Sequence, residues 1–98
     1  MNKENPLILH LKYEFYLMIR NGEKNHEYRE VKPYWESRIH NQKELILVPG
    51  YGNCNSLDLH ANIKNIKKIK WVELPDHAKN LFLSNPANEY YDIEFEVQ

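Results

Sequence analysis

Residues 22–29 contain the side chains best suited to bind a ligand or to catalyse a reaction. Their sequence, Gly-Glu-Lys-Asn-His-Glu-Tyr-Arg, brings Lys24, Glu27 and Arg29 close together along the chain. Lys24 carries a compact cation that can hold a phosphate or polarise a carbonyl, and Glu27 can accept a proton or a nucleobase amino hydrogen. Arg29 shares a strand face with Glu27, so it can either pair with Glu27 or direct its planar fork at a phosphate. The segment therefore predicts either a charged ligand site or a structural ion pair that ties this strand to the fold.

Two aromatic side chains outside this segment are candidates to stack on a nucleobase. Trp35 is four residues before Ile39 in a short helical pattern, and we expect it to pack mainly in the core. Tyr51 lies in a glycine-flanked loop after a buried strand, where a ligand has easier access. Base stacking contributes on the order of 1 to 3 kcal/mol per base, so either ring would strengthen a nucleic-acid site.

Other polar groups give weaker signals. The five histidines show no His-x-His or His-x-x-x-His spacing, so neither a metal site nor a cofactor is predicted. One cysteine, Cys54, excludes an internal disulfide, and nothing in its surroundings marks it as a nucleophile. A row of lysines is expected to protect a solvated strand edge, with phosphate contact as the alternative; it comprises Lys64, Lys67, Lys68 and Lys70.

The hydrophobic pattern predicts the elements that position these residues. Strand-like patterns cover 7–11, 26–31, 44–49 and 91–97, and a long strand over 57–71 bends near Ile66, where the alternation breaks. Helical spacing predicts main helices at 12–21 and 75–83 and a short helix at 33–39, with Gly22 ending the first helix. Because regular βαβ alternation is missing, we predict an α+β fold in which about five mixed or antiparallel strands curl towards a β-barrel beside two main helices.

Length and composition set the class of protein. The chain has 98 residues, of which 42% are hydrophobic and 28% charged, as expected for one globular domain spanning 1–98. A formal net charge of −1 excludes a protein-wide basic surface, so any polyanion binding must be local. The polar start has no apolar segment for a signal peptide, and no apolar run approaches the length of a membrane span. We therefore expect a soluble cytoplasmic protein with no membrane partner.

The residues of the charged segment resemble the motif of the ASCH domains, which have a PUA-like β-barrel fold. Gly22-x-Lys24-x-x-Glu27-x-Arg29 is similar to the family's Gly-x-Lys-x-x-Glu-x-Arg motif. Trp35-Glu36-Ser37-Arg38 is similar to the Trp-x-x-Arg that often follows the motif in small members. Weaker agreement extends to Gly50-Tyr51 and to residues 90–95.

This resemblance implies a cleft beside the first helix and the motif strand, and it implies RNA or nucleotide-like ligands. Some relatives hydrolyse acylated cytidine, but those enzymes have a threonine at the position of Glu27. Our leading hypothesis is a small ASCH-type domain that binds RNA or a modified nucleoside through Lys24, Glu27, Arg29, Arg38 and Tyr51.

Two alternative functions stay open. The first is hydrolysis of an acylated nucleoside, with Glu27 as the general base and Lys24 stabilising the oxyanion. The second is a protein-interaction module without a small ligand, which the near-neutral charge and small size allow.

Overall fold

One mixed sheet of five strands, flanked by helices, carries the candidate site. The computed structural model describes residues 6–39, 42–50, 57–82 and 87–98. The strands are β1 (Leu7–Leu11), β2 (His26–Glu30), β3 (Glu44–Pro49), β4 (Leu59–Lys70) and β5 (Glu89–Val97). The helices are α1 (Tyr13–Arg20), α2 (Pro33–Ile39) and α3 (Asp76–Leu81), and a 3-10 turn covers Trp71–Glu73.

The strand order is β1-β3-β4-β5-β2, and only the β1–β3 pair is parallel. The predicted α+β class with five mixed strands is therefore confirmed, as is the order of the elements along the chain. In a flat sheet the first and last of five strands would be roughly 19 Å apart, farther than one side chain reaches. Yet a guanidinium nitrogen of Arg29 in β2 donates to the backbone carbonyl of His10 in β1 at 2.9 Å. The sheet is therefore curled into a half-barrel whose two edge strands face each other.

The main hydrophobic core fills the concave side of this half-barrel. Alternate residues of β1 point into it, and Tyr16 and Ile19 of α1 cover the open side together with Ile39 of α2. Its strand residues are Leu7, Leu9, Leu11, Leu45, Leu47, Ala61, Tyr91, Ile93 and Phe95. Trp35 packs against this core, as predicted. The hydroxyl of Tyr16 also donates to the backbone carbonyl of Leu57, which fixes α1 to the segment before β4.

A second, smaller core lies on the opposite face of β4 and β5. It consists of Ile69, Leu74, Ala78 and Tyr90, and the 3-10 turn and α3 supply its cover. Asp92 alternates with the inward-facing residues of β5, yet it is only 7% exposed. It is buried because α3 brings a second layer onto this face of the sheet.

A bulge lets β4 serve both cores. Its pairing with β5 shifts between Ile63 and Asn65, close to the bend predicted at Ile66. The predicted ends of this strand are wrong: Leu57 is 50% exposed in a turn, and Trp71 begins the 3-10 turn. β3 pairs with β4 only as far as Asn62, so Lys64, Lys67, Lys68 and Lys70 lie on a stretch of β4 that has β5 on one side and no strand of the described residues on the other. The expectation that these lysines protect an exposed strand edge agrees with this pairing.

The connection between α1 and β2 sets up the charged segment. Gly22 follows the helix with φ of +80°, a backbone conformation that glycine adopts without steric cost, as predicted for the helix end. Two residues later Lys24 begins the approach to β2, so its side chain lies between the end of α1 and the sheet. None of the helices in the described part of the chain is long and apolar enough to cross a membrane.

Candidate functional site

The strand β2 places Glu27 and Arg29 on the core side of the sheet. Glu27 is paired with Ile93 and Arg29 with Tyr91, and both of these partners on β5 are buried. Cross-strand partners share a face, so the two charged side chains of β2 point into the half-barrel. This explains why β2 has no apolar face: its inward positions hold an ion pair.

Glu27 joins two cations in a nearly buried chain of charges. One carboxylate oxygen, Oε1, lies 3.2 Å from Lys24 Nζ, and the other, Oε2, lies 2.7 Å from a terminal nitrogen of Arg29. The exposed fractions of the side chains are 6% for Lys24, 11% for Glu27 and 20% for Arg29. Each charge therefore has an opposite charge in contact, as burial requires.

Both cations have further contacts. Lys24 donates to the backbone carbonyl of His26, and its Nζ lies 5.9 Å from the ring centroid of Phe15 and 5.4 Å from that of Tyr28. Arg29 lies over Trp35 with 5.2 Å between Cζ and the ring centroid. Its bonds to Glu27 and His10 both come from the NH2 nitrogen, and its buried Nε has no hydrogen-bond partner among the described residues. Arg29 therefore keeps donors that neither contact uses.

The other two residues of the predicted site lie elsewhere. Arg38 is on the exposed side of α2, where its guanidinium stacks 3.7 Å from the ring centroid of Tyr34 and donates to the Tyr34 carbonyl at 2.9 Å. Tyr51 falls outside the described residues. Its neighbour Gly50 contacts β1, since its carbonyl is 2.9 Å from His10 Nδ1 and its N–H donates to Leu11.

Two adjoining cavities between β1 and α2, which we name the α2 groove, have volumes of about 580 and 490 Å³. They share Ile8, His10 and Tyr34 in their linings. The larger is also lined by Arg29, Lys32 and Trp35, and the smaller by Ser37 and Arg38. Among the described residues neither lining includes an Asp or Glu, so this part of the groove is locally cationic although the chain is not.

A third cavity lies on the other side of β2, away from the α2 groove. This pocket, which we name the β2-edge pocket, has a volume of about 220 Å³ and lies where the end of α1 and the start of α3 meet β2. It is lined by Met18, Glu23, Lys24, Asn25, His26, Tyr28, Pro75 and His77. Lys24 thus opens onto a different cavity from Arg29 and Arg38, although Glu27 links Lys24 to Arg29.

Beside the β2-edge pocket lies a hydrogen-bonded pair of side chains, His26 and Asp92, that sequence reasoning missed. His26 Nδ1 lies 2.7 Å from Asp92 Oδ1, and Asp92 is buried on the sheet face that α3 covers. The ring of Tyr28 stacks beside His26 with centroids 6.3 Å apart and an interplanar angle of 13°. The sequence gives no clear signal of this pair, because an acidic residue at an alternate position of a strand normally faces water.

Two groups around the β2-edge pocket have shifted pKa values. Burial raises the pKa of Tyr28 to about 12, and the carboxylates of Asp92 and Glu27 add to the shift. Burial lowers the pKa of His77 from its ordinary value, and the Lys24 cation lowers it further, although Glu27 and Asp76 oppose this shift. Both groups therefore favour their neutral forms at pH 7.

Three of the β4 lysines, Lys64, Lys67 and Lys68, line a separate cavity of about 500 Å³ near α2, beside Glu36 and Tyr91. Their side chains are exposed, and Lys68 Nζ lies 5.8 Å from the ring centroid of Tyr91. Burial raises the pKa of Tyr91, with Glu36 adding to the shift and Lys68 opposing it. This cavity contains the carboxylate of Glu36 as well as lysine cations, so it is less suited to bind a polyanion than the α2 groove.

Within the described ranges, no group of three or more His, Cys, Asp or Glu side chains is arranged to hold a metal ion. Comparison of the chain with protein-family models, with curated proteins and with solved structures found no match.

Proposed function

We propose that the protein is an ASCH-type domain that binds single-stranded RNA or a modified nucleoside, with the α2 groove as the principal contact surface. The observation that carries the proposal is the lining of this groove, which combines Arg29, Lys32 and Arg38 with aromatic rings and, within the described ranges, includes no carboxylate. Cations along a groove attract a phosphate backbone, and exposed rings provide platforms for bases.

The geometry of the individual groups supports this proposal. Arg29 is held by Glu27 and by the His10 carbonyl, so its remaining N–H groups have a fixed direction. Arg38 lies flat on Tyr34, which is 52% exposed. A guanidinium stacked on an aromatic ring keeps its donor edge free for a phosphate. In this proposal Glu27 and Lys24 position Arg29.

Fluorescence anisotropy with a labelled ten-nucleotide RNA, with single nucleosides as competitors, tests the proposal. We expect Tyr34→Ala to weaken RNA binding roughly tenfold through lost stacking. Arg38→Ala should weaken binding and reduce the slope of log affinity against log salt by about 0.7, the value for one lost phosphate contact on a single strand.

Lys64→Ala is the matched control because it removes an exposed cation outside the groove. Failure to bind every RNA and nucleoside at low salt would exclude the proposal. Equal affinities for wild type, Tyr34→Ala and Arg38→Ala would exclude the α2 groove as the binding surface.

A second candidate function is hydrolysis of an acylated nucleoside, favoured by the 3.2 Å between Lys24 Nζ and Glu27 Oε1. A lysine cation so close to a carboxylate can stabilise an oxyanion while the carboxylate activates water. Glu27 must release one of its two cations before it can act as a base, which weakens this candidate relative to RNA binding. Turnover of N4-acetylcytidine that Glu27→Gln abolishes would support hydrolysis, and absence of turnover would remove this substrate.

A further inference from the structure

We infer that the β2-edge pocket is a second binding site, separate from the α2 groove, for a small neutral planar molecule. Such a ligand would present an N–H or O–H donor to His26 and a hydrogen-bond acceptor to Lys24. A single-ring heterocycle with an amide edge, in which C=O and N–H are adjacent, has this chemistry.

The contact with Asp92 determines which groups His26 offers to a ligand. An ionised carboxylate can only accept hydrogen bonds, so Nδ1 carries the hydrogen in the 2.7 Å contact with Asp92 Oδ1. In the neutral ring, Nε2 is then an acceptor. No hydrogen bond from the described residues reaches Nε2, and the side chain is 36% exposed and lines the pocket. In its neutral form His26 therefore presents a lone pair of fixed direction.

The burial of Asp92 distinguishes this pair from an ordinary surface contact. Asp92 is 7% exposed, whereas its partner His26 is half-buried and faces a cavity. A buried carboxylate is costly unless it is hydrogen-bonded. The contact with Asp92 holds Nδ1 of His26 inside the protein and leaves Nε2 facing the pocket. A carboxylate orients a functional histidine in the same way in metal sites.

Lys24 supplies the complementary donor. An ammonium has three N–H groups, and its contacts with Glu27 Oε1 and with the His26 carbonyl account for two of them. The Lys24 side chain lines the same pocket, so its third N–H can meet an acceptor on a ligand. Glu27 pairs with both Lys24 and Arg29, and Glu23 contributes a second carboxylate at the pocket, so two cations are offset by two carboxylates. These charges favour a neutral ligand over an anion.

The shape of the pocket selects a flat, small molecule. Tyr28 lies parallel to His26, and His77 meets Tyr28 edge-on, with centroids 6.4 Å apart and an angle of 62°. These rings offer aromatic surface to a planar ligand. The volume of about 220 Å³ lies below the range of roughly 300 to 1,000 Å³ for drug-sized ligands, so one ring is the expected size.

Two-dimensional ¹H–¹⁵N NMR titrations with 2-pyridone and N-methyl-2-pyridone test the inference. The two probes share the ring and the carbonyl, and only 2-pyridone has the N–H that His26 Nε2 would accept. We expect 2-pyridone to cause saturable shifts at the amides of residues 24–28 and of His77. We expect N-methyl-2-pyridone to bind about tenfold more weakly, because it leaves the acceptor unpaired.

Variants separate direct contact from positioning. His26→Phe should weaken 2-pyridone binding about tenfold and remove the preference between the two probes. Asp92→Asn should reduce the preference through loss of the fixed tautomer, and ¹⁵N shifts of the His26 ring should show less of the Nδ1–H form. Arg38→Ala is the matched control, since it alters the α2 groove and should leave 2-pyridone binding unchanged.

Lack of saturable shifts with 2-pyridone, or equal affinity for the two probes in the wild-type protein, would overturn the inference without any variant having to fold. RNA binding at the α2 groove does not require His26, so His26→Phe should leave RNA binding unchanged even where it weakens 2-pyridone binding. Failure of 2-pyridone to bind would therefore exclude the β2-edge pocket as a ligand site without excluding RNA binding at the α2 groove.

Discussion

Glu27 is the residue on which the charges of the motif depend. Its two oxygens contact Lys24 and Arg29, and all three side chains are largely withdrawn from water. We expect Glu27→Ala to lower the free energy of unfolding by about 3 kcal/mol, because two cations lose their shared partner in a poorly solvated place. Urea denaturation at pH 7 measures this loss.

Glu96→Ala is the matched control, because Glu96 is exposed on β5 and should change stability by less than about 0.5 kcal/mol. Glu27→Gln keeps the size of the side chain and should cost less than Glu27→Ala. Equal stability of Glu27→Ala and Glu96→Ala would contradict the assignment of Glu27 as the centre of a buried ion pair.

The pKa of His77 reports on the cation of Lys24. Burial is the larger cause of its lowering and Lys24 the next, so we expect Lys24→Met to raise the pKa of His77 part of the way towards its ordinary value. Titration of the His77 ring proton by NMR measures the change. Lys64→Met, which removes a cation outside the β2-edge pocket, should leave the pKa of His77 unchanged. An equal rise of the His77 pKa in Lys64→Met and Lys24→Met would refute the role of Lys24.

At the scale of residues, the sequence predicts local groupings better than distant ones. Lys24, Glu27 and Arg29 come together as expected, because they lie close along the chain, Glu27 and Arg29 on β2 and Lys24 just before it. His26 and Asp92 are separated by 66 positions and meet through the β2–β5 register. Their pairing depends on that register and on the cover that α3 provides, and neither can be derived from local spacing.

At the scale of elements, Arg29 joins the two edges of the sheet. It contacts Glu27 in its own strand, the His10 carbonyl in β1 and the ring of Trp35 in α2. We expect Arg29→Lys to loosen this junction, since a lysine has no planar fork to make these contacts together. Amides of β1 and β2 should then exchange with solvent about tenfold faster, equivalent to about 1.4 kcal/mol, while those of β3 and β4 change less.

Hydrogen exchange followed by NMR resolves these amides individually. Arg38→Lys provides the comparison, because Arg38 is also on the α2 side but joins no strands. Uniformly faster exchange across all five strands would show a general loss of stability and would count against a local junction.

The elements themselves were well predicted because their hydrophobic periods are clear. Alternation identified β1 and β5, and its break near Ile66 located the bulge of β4. The pairing order was not predicted, because periodicity specifies which face of a strand is buried but not which strand lies beside it. Periodicity therefore left open that β4 lies between β3 and β5 as far as Asn62, whereas its lysines lie on a stretch that pairs with β5 alone.

At the scale of the whole molecule, Tyr28 couples stability to alkaline pH. Its pKa is raised to about 12 in the folded protein, whereas an unfolded tyrosine has its ordinary value of 10.0. Between these values the unfolded chain releases the proton first, so stability is fully present below pH 10 and declines as the pH rises towards 12. We expect Tyr28→Phe to reduce the loss of stability between pH 9 and pH 11.

Urea denaturation at the two pH values measures this difference, with Tyr13→Phe as the control because Tyr13 is 57% exposed. Other groups contribute to the alkaline loss in every variant, so the informative quantity is the gap between variants. A loss in Tyr28→Phe as large as in the wild-type protein would contradict the coupling.

The bridge from Arg29 to the His10 carbonyl has a consequence for self-association. Edge strands present unpaired backbone groups to which another chain can add, and such addition leads to aggregation. At β1, one of these acceptors is already occupied by a side chain from the opposite edge. A second chain that paired along β1 would have to displace Arg29 and leave Glu27 with one cation fewer, so the closure of the half-barrel also discourages edge-to-edge polymerisation.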